Sequence, residues 1–231
     1  MKPTGLTFDD VYLIPQYTSC TSRADLDTSV SLGNLGLRIP IISSNMDTIT
    51  EHEMAIAMWK SGGVGAIHRF MTVEDAVSEY KLVRKSNCDA FVSVGVKDED
   101  IKRAVMLHEA GATLFIVDIA HGHSAQMRQM LSVMRKTFGT KIYIVAGNVA
   151  TSQAVEDLAQ WGADCVKVGV GGGSCCKTRV VTGHGVPMFS CLVDCCEAAD
   201  KVGVQVIADG GIRTSGDIVI SKAAGADMVM L

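Results

Sequence analysis

Short apolar runs recur along the chain, each followed by a polar or glycine punctuation and then by a stretch with helical spacing. The runs fall at 39–43, 64–68, 90–94, 113–118, 141–146, 165–170, 204–208 and 227–231. Each is nearly all apolar rather than alternating, the pattern of parallel strands covered on both faces. Between them lie amphipathic stretches such as 99–110 and 152–161. Gly62, Gly111, Gly162, Gly203 and Gly225 stand where a helix end calls for a left-handed residue. The runs start roughly 23 to 28 residues apart, with one longer gap between Cys165 and Val204. Eight repeats of that pitch predict a (β/α)8 barrel, with an open doubly wound sheet as the alternative. The chain stops at Leu231, in or just after the eighth run. The expectation is therefore a single barrel domain over residues 1–231 whose last βα unit is incomplete, its eighth loop and helix absent. A barrel left open there would expose strand and helix surfaces that need a partner.

Composition narrows the function classes. The 231 residues are 48% hydrophobic and 20% charged, enough apolar material for a large core and unlike a disordered chain. Net charge is −4, and no lysine/arginine cluster exceeds a pair, which argues against a nucleic-acid partner. Small anionic ligands stay open, since loop amides and helix N-termini bind phosphate without net basicity. No stretch has the length of an export signal or a membrane span, so the expected location is cytoplasmic and the eight cysteines are expected as reduced thiols. Cys191, Cys195 and Cys196 sit in a helical pattern without a second cysteine/histidine pair at zinc spacing, and read as small buried residues.

In such a barrel the chemistry sits at the C-terminal ends of the strands. The residues that follow the runs include Asn45-Met46-Asp47, His68-Arg69, Lys97-Asp98, Asp118 to His123, Gly147-Asn148, Gly171 to Cys176 and Asp209-Gly210-Gly211. The segment from Gly169 to Arg179 carries the strongest signal. Its glycines let backbone amides or carbonyls turn inward toward an ion, Ser174 can donate to a phosphate, and Cys176 lies beside Lys177 and Arg179, cations expected to lower its pKa and make it a nucleophile. Thr178 stands within reach to relay a proton. The competing reading is a flexible connector with incidental cysteines. Asp209 can hold a ribose diol and Gly210-Gly211 admit a phosphate; an ordinary tight turn is the alternative. His121 and His123 invite a metal reading, but the further histidines and aspartate of a barrel hydrolase are missing. His52, His108 and His184 read as structural, and Trp59 and Trp161 as packing.

With these motifs in place the chain resembles the IMP dehydrogenase/GMP reductase family over essentially its whole length. The ordered matches are Leu6-Thr7-Phe8-Asp9-Asp10-Val11, the stretch from Ile39 to Thr48, the cysteine loop, and Ala208 to Ile212. The resemblance implies that Cys176 attacks purine C2 covalently, with Thr178 as acid/base partner. It implies that Ser174, Asp209, Gly210 and Gly211 hold a purine mononucleotide. Asp118, Ile119, Ala120, Asn148 and Arg69 would face the nicotinamide cofactor, as would Ser22 and Arg23 as the family's early Ser-Arg pair. Gly171, Gly173, Cys176 and Arg179 would form a potassium site, and the assembly would be a homotetramer.

The branch within the family turns on smaller signals. The run from Met71 to Ala90 leaves no room for the CBS modules usual in dehydrogenases. The segments Ile67 to Phe70, Ser93 to Lys97, Asp118 to Ser124 and Gly210 to Thr214 look like a bacterial GMP reductase, an enzyme that uses NADPH to turn GMP into IMP and ammonia. Gly62 to His68 and Val180 to Pro187 look more like IMP dehydrogenase, which oxidises IMP to XMP with NAD. The reductase is the first expectation, the dehydrogenase the alternative, and a non-catalytic nucleotide-binding barrel fragment the third. Two departures from the family pattern stand out: Gly172 where proline is usual, and the doubled Cys175-Cys176.

Overall fold

The computed structural model describes residues 5–231. Eight parallel strands form a closed barrel: β3 (Ile41–Ser43), β4 (Val64–Ile67), β5 (Ala90–Val94), β6 (Leu114–Asp118), β7 (Tyr143–Val149), β8 (Cys165–Val168), β9 (Gln205–Asp209) and β10 (Met228–Met230). All eight apolar runs are strands, with ends that shift by at most three residues. The sheet does not stay open after the eighth. β10 pairs with β9 on one side and with β3 on the other, Val229 standing against Ile41 and Met230 against Ile42.

The helices on the outside are α1 (His52–Ser61), α2 (Val73–Lys85), α3 (Asp98–Glu109), α4 (Ala125–Phe138), α5 (Ser152–Trp161), α7 (Met188–Val202) and α8 (Ser215–Ala223). The short α6 (Thr178–Thr182) lies in the long gap between β8 and β9. Local chemistry sets the helix ends. Thr72, Ser124, Thr151 and Thr214 each accept a backbone N–H at an N-cap, worth about 1 kcal/mol apiece. Gly62, Gly162 and Gly203 close α1, α5 and α7 in the left-handed conformation.

Two apolar layers follow from strand alternation. Outward residues pack under the helices, and there Cys191, Cys195 and Cys196 of α7 are buried free thiols, as their helical context implied. Burial pushes Cys196 up to about 12, away from ionisation at neutral pH. Inward residues, among them Ile42, Val64, Phe91, Ile116, Val145 and Ile207, fill the barrel.

A feature missing from the sequence reading covers the bottom of this inner core. A tight antiparallel hairpin, β1 (Val30–Leu32) and β2 (Leu35–Leu37), drives Leu32 and Leu37 into the same cluster. Gln205, at the start of β9, ties the hairpin down by donating to the Ser31 carbonyl at 2.7 Å and accepting from the Tyr143 hydroxyl at 2.8 Å. Leu32 is fully buried, so Leu32→Ala is expected to cost about 2–5 kcal/mol through the lost contacts and the cavity left behind. Urea denaturation of the variant against the parent measures it.

Candidate active site

The C-terminal rim of the barrel opens into a cavity of about 520 Å³. Strand alternation decides what faces it. On β8, Val166 and Val168 belong to the outer layer and Cys165 to the inner one, so Lys167 points inward, one layer above Cys165. Its side chain is 4% exposed. Lys167 Nζ donates to Asp118 Oδ1 at 2.9 Å on β6, to Asp209 Oδ2 at 2.6 Å on β9, and to Asn148 Oδ1 on β7. Burial alone would lower the pKa of this lysine; the carboxylates of Asp209 and Asp118 outweigh it and hold the group above its ordinary value. Asn148 completes the network, its amide nitrogen donating to Asp209 Oδ2 and to the Gly169 carbonyl, both at 2.8 Å.

The cysteine loop crosses the same rim. Gly169 has a φ of +139°, and a Cβ there would meet the Asp209 carbonyl at 2.0 Å. Gly210 has a φ of +99°, and a Cβ there would meet the Gly173 nitrogen at 2.9 Å. Only glycine permits the loop after β8 and the turn after β9 to lie this close. Cys176 faces the cavity, and Cys175 is exposed. Cys176 Sγ lies 3.3 Å from Thr178 Oγ1. The Thr178 hydroxyl, then its backbone amide, hold the thiol below its ordinary pKa by hydrogen-bonding the thiolate. This corrects the expected cause: Arg179 contributes least of the stabilising groups and Lys177 is not among them.

The cavity gathers Cys176, Thr178, Gly171, Asp118, Ile119, Ala120, Asn148, Arg69 and Asp209 from the residues expected in a site. Gly210, Gly211 and Gly173 support the loop contact just described, and Ser174 is exposed on the loop. The aliphatic part of Arg179 lies against Gly171 and Gly185, so this residue shapes the loop. Ser22 and Arg23 do not line the cavity; they begin a short helical turn in which Ser22 accepts from the Ala24 amide. His123, in the loop before α4, pairs through Nε2 with Asp157 on α5 at 2.8 Å, and His52 on α1 pairs through Nδ1 with Glu79 on α2 at 2.8 Å.

Sequence reasoning missed Lys167 as a cavity residue, while Asn45 and Met46, read among the rim residues, do line the cavity. A lone lysine inside the apolar run 165–170 was the available signal, because a charge is buried there only with partners. Asn45 Nδ2 and Arg69 Nε are buried donors with no partner among the described residues, and both residues line the cavity. Native structures leave few such donors, and two on one cavity wall fit a ligand with acceptor atoms. A second cavity of about 270 Å³ adjoins the first through Arg69 and Ile119, and Lys97 and Arg103 lie on its wall.

Comparison with known proteins agrees with this geometry. A family model described as the IMP dehydrogenase / GMP reductase domain matches residues 5–231. An inosine-5'-monophosphate dehydrogenase of Cryptosporidium parvum is 37% identical over 269 aligned residues, covering 98% of this chain and 66% of its own length. A GMP reductase of Mesoplasma florum is 39% identical over 228 residues, covering 97% and 70%. The crystal structure of an inosine 5' monophosphate dehydrogenase from Legionella pneumophila superposes with a TM-score of 0.90 at 46% identity, covering 99% of this chain and 69% of that one. The chain thus spans about two thirds of the length of these relatives.

The Thr178 contact makes the Cys176 thiolate measurable. Thr178→Val removes the hydroxyl donor, so the pH midpoint for alkylation of Cys176 by iodoacetamide is expected to move upward. At pH 7 the rate should fall roughly three- to tenfold with the thiolate fraction. Peptide mass spectrometry separates Cys176 from Cys175, and an unmoved midpoint would assign the low pKa elsewhere.

Proposed function

The chain belongs to the IMP dehydrogenase/GMP reductase family, and on that premise we propose that its barrel performs the NADPH-dependent reduction of GMP to IMP with release of ammonia. The observation that carries this reading is the Cys176–Thr178 pair, set at 3.3 Å in one cavity with Asp118, Asn148, Lys167 and Asp209. A thiolate suits addition to electron-poor C2 of a purine, and it leaves again once that carbon has been reduced. Thr178 Oγ1, hydrogen-bonded to Sγ, would pass a proton to the departing amine. When bound, the nicotinamide cofactor supplies the hydride.

The other residues bind and orient. Asp209, held by Lys167 and Asn148, presents a carboxylate to a ribose diol. Ser174, Gly210 and Gly211 offer donors to the phosphate of the nucleotide. Asp118, Ile119, Ala120 and Arg69 would form the wall for the cofactor, and the adjoining cavity, where Arg69, Lys97 and Arg103 outnumber Glu99 and Asp100, gives room for its phosphates. Ser22 and Arg23 remain part of the cofactor proposal by family resemblance alone. Oxygen donors suit a potassium ion; the carbonyls of Gly171, Gly173 and Cys176 would hold it, with Arg179 bracing Gly171.

The branch rests on the segments Ile67 to Phe70, Ser93 to Lys97, Asp118 to Ser124 and Gly210 to Thr214, which resemble a reductase, and on the short run from Met71 to Ala90; relatives of both names cover this chain almost completely. The alternative, NAD-dependent oxidation of IMP to XMP, draws support from the 46% identity to the Legionella structure. Absorbance at 340 nm separates the two. Loss with GMP and NADPH, accompanied by ammonia, is the expected result; a gain with IMP and NAD alone would make the protein a dehydrogenase. Binding of nucleotide without either change would leave a non-catalytic barrel.

The register of the doubled cysteine is tested directly. Cys176→Ala should lower kcat by roughly three orders of magnitude or more while leaving the fold intact. Cys175→Ala should stay within about threefold of the parent, as befits a thiol outside the cavity. The reverse pattern would move the nucleophile by one residue.

A further inference from the structure

Lys167 is the most deeply buried charge in the rim, and the reaction chemistry above gives it no part. Its nitrogen bonds three groups at once: Asp118 on β6, Asn148 on β7 and Asp209 on β9. The two carboxylates face different ligands. Asp209 belongs to the turn beside the cysteine loop, on the nucleotide side, and Asp118 precedes Ile119 and Ala120, on the cofactor side. Both side chains are 21% exposed, so each depends on the protein as well as on water for its counter-charge. Only this ammonium lies between them: neither Asp118 nor Asp209 has another ion-pair partner among the described residues.

We propose that Lys167 is a positioning residue that sets the nucleotide carboxylate and the cofactor carboxylate together, so that both ligand sites depend on one buried charge. The physical reason is electrostatic. Without the ammonium, two carboxylates bound to one point would repel each other at low effective dielectric, and Asp209 would leave the place from which it can accept a diol. The uncompensated negative charge would also oppose the phosphate of an incoming nucleotide. A charge-driven role of this kind has a distinctive consequence. Removing one of the two carboxylates should restore the balance and undo part of the damage, although the removed group lies on the cofactor side.

The inference rests on the purine-nucleotide reading, and calorimetric titration with GMP and with IMP as probes tests it on the full chain. Lys167→Met should weaken the tighter of the two at least tenfold. Lys167→Arg, which keeps the charge, should bind better than Lys167→Met. The double variant K167M/D118N should regain at least threefold over K167M. Circular dichroism and thermal melting establish that each variant is folded; should K167M not fold, Lys167→Gln and Lys167→Gln/Asp118→Asn repeat the comparison with the same probes, the same threefold recovery being expected and its absence overturning the proposal. Equal weakness of K167M and K167M/D118N would reduce Lys167 to a packing role and overturn the proposal, as would parent-like binding by K167M. A parent protein that binds neither nucleotide overturns the purine reading and this inference together, so the two failures are told apart.

Discussion

A lysine cannot sit inside a barrel without anions to meet it, and that requirement organises the rim of this protein. Lys167 is placed inward by the two-residue period of β8, where the neighbouring valines must face the helices. Its ammonium is then satisfied by strands on either side, Asp118 of β6, Asn148 of β7 and Asp209 of β9. Four consecutive strands of the closed sheet are thereby tied at their C-terminal ends by one charged group. The bonds cost desolvation, and they are worth having where they orient side chains rather than where they add stability. The opposite end of the barrel has no such demand. There the inner core is closed by apolar contact, with Leu32 and Leu37 of the hairpin packed under it.

The second constraint is steric. The loop that carries Cys176 and the end of β9 that carries Asp209 approach each other most closely at Gly169 and Gly210, where side chains would collide with backbone. This contact brings a nucleophile from the end of one strand to a carboxylate at the end of the next. It also holds Cys176 beside Thr178, whose hydroxyl and amide stabilise the thiolate more than the nearby cations do. Cys195 and Cys196 of α7 show the opposite limit: the hydrogen bond with Cys191 and burial push the first away from ionisation, and burial does the same to the second. Reactivity in this chain is a matter of what surrounds each sulfur.

Family membership and fold agree with the chemistry that the loop suggested. Relatives named dehydrogenase and relatives named reductase each cover nearly the whole chain, so membership in the family does not by itself choose between the two activities. The unpartnered donors of Asn45 and Arg69 and the polar second cavity, lined by charges of both signs, are consistent with a large polar ligand lying across the rim.

Much of this was legible in the chain itself. Eight apolar runs at a regular pitch determined the barrel, because a parallel strand covered on both sides must be apolar throughout, and glycines in the left-handed conformation marked the helix ends. The rim residues followed from their place after each run, and Cys176, Thr178, Asp118, Asn148 and Asp209 do share one cavity. Three things were decided only by the tertiary structure. The hairpin at 30–37 is too short to carry a periodic signal, and its stability comes from a core formed by strands far away in the chain. The cause of the lowered thiol pKa depends on hydrogen-bond direction, and proximity in sequence to Lys177 and Arg179 does not reveal it. The position of Lys167 among two carboxylates and an amide depends on which strands become neighbours. A charge inside an apolar run says that partners must exist; only the closed sheet says which they are.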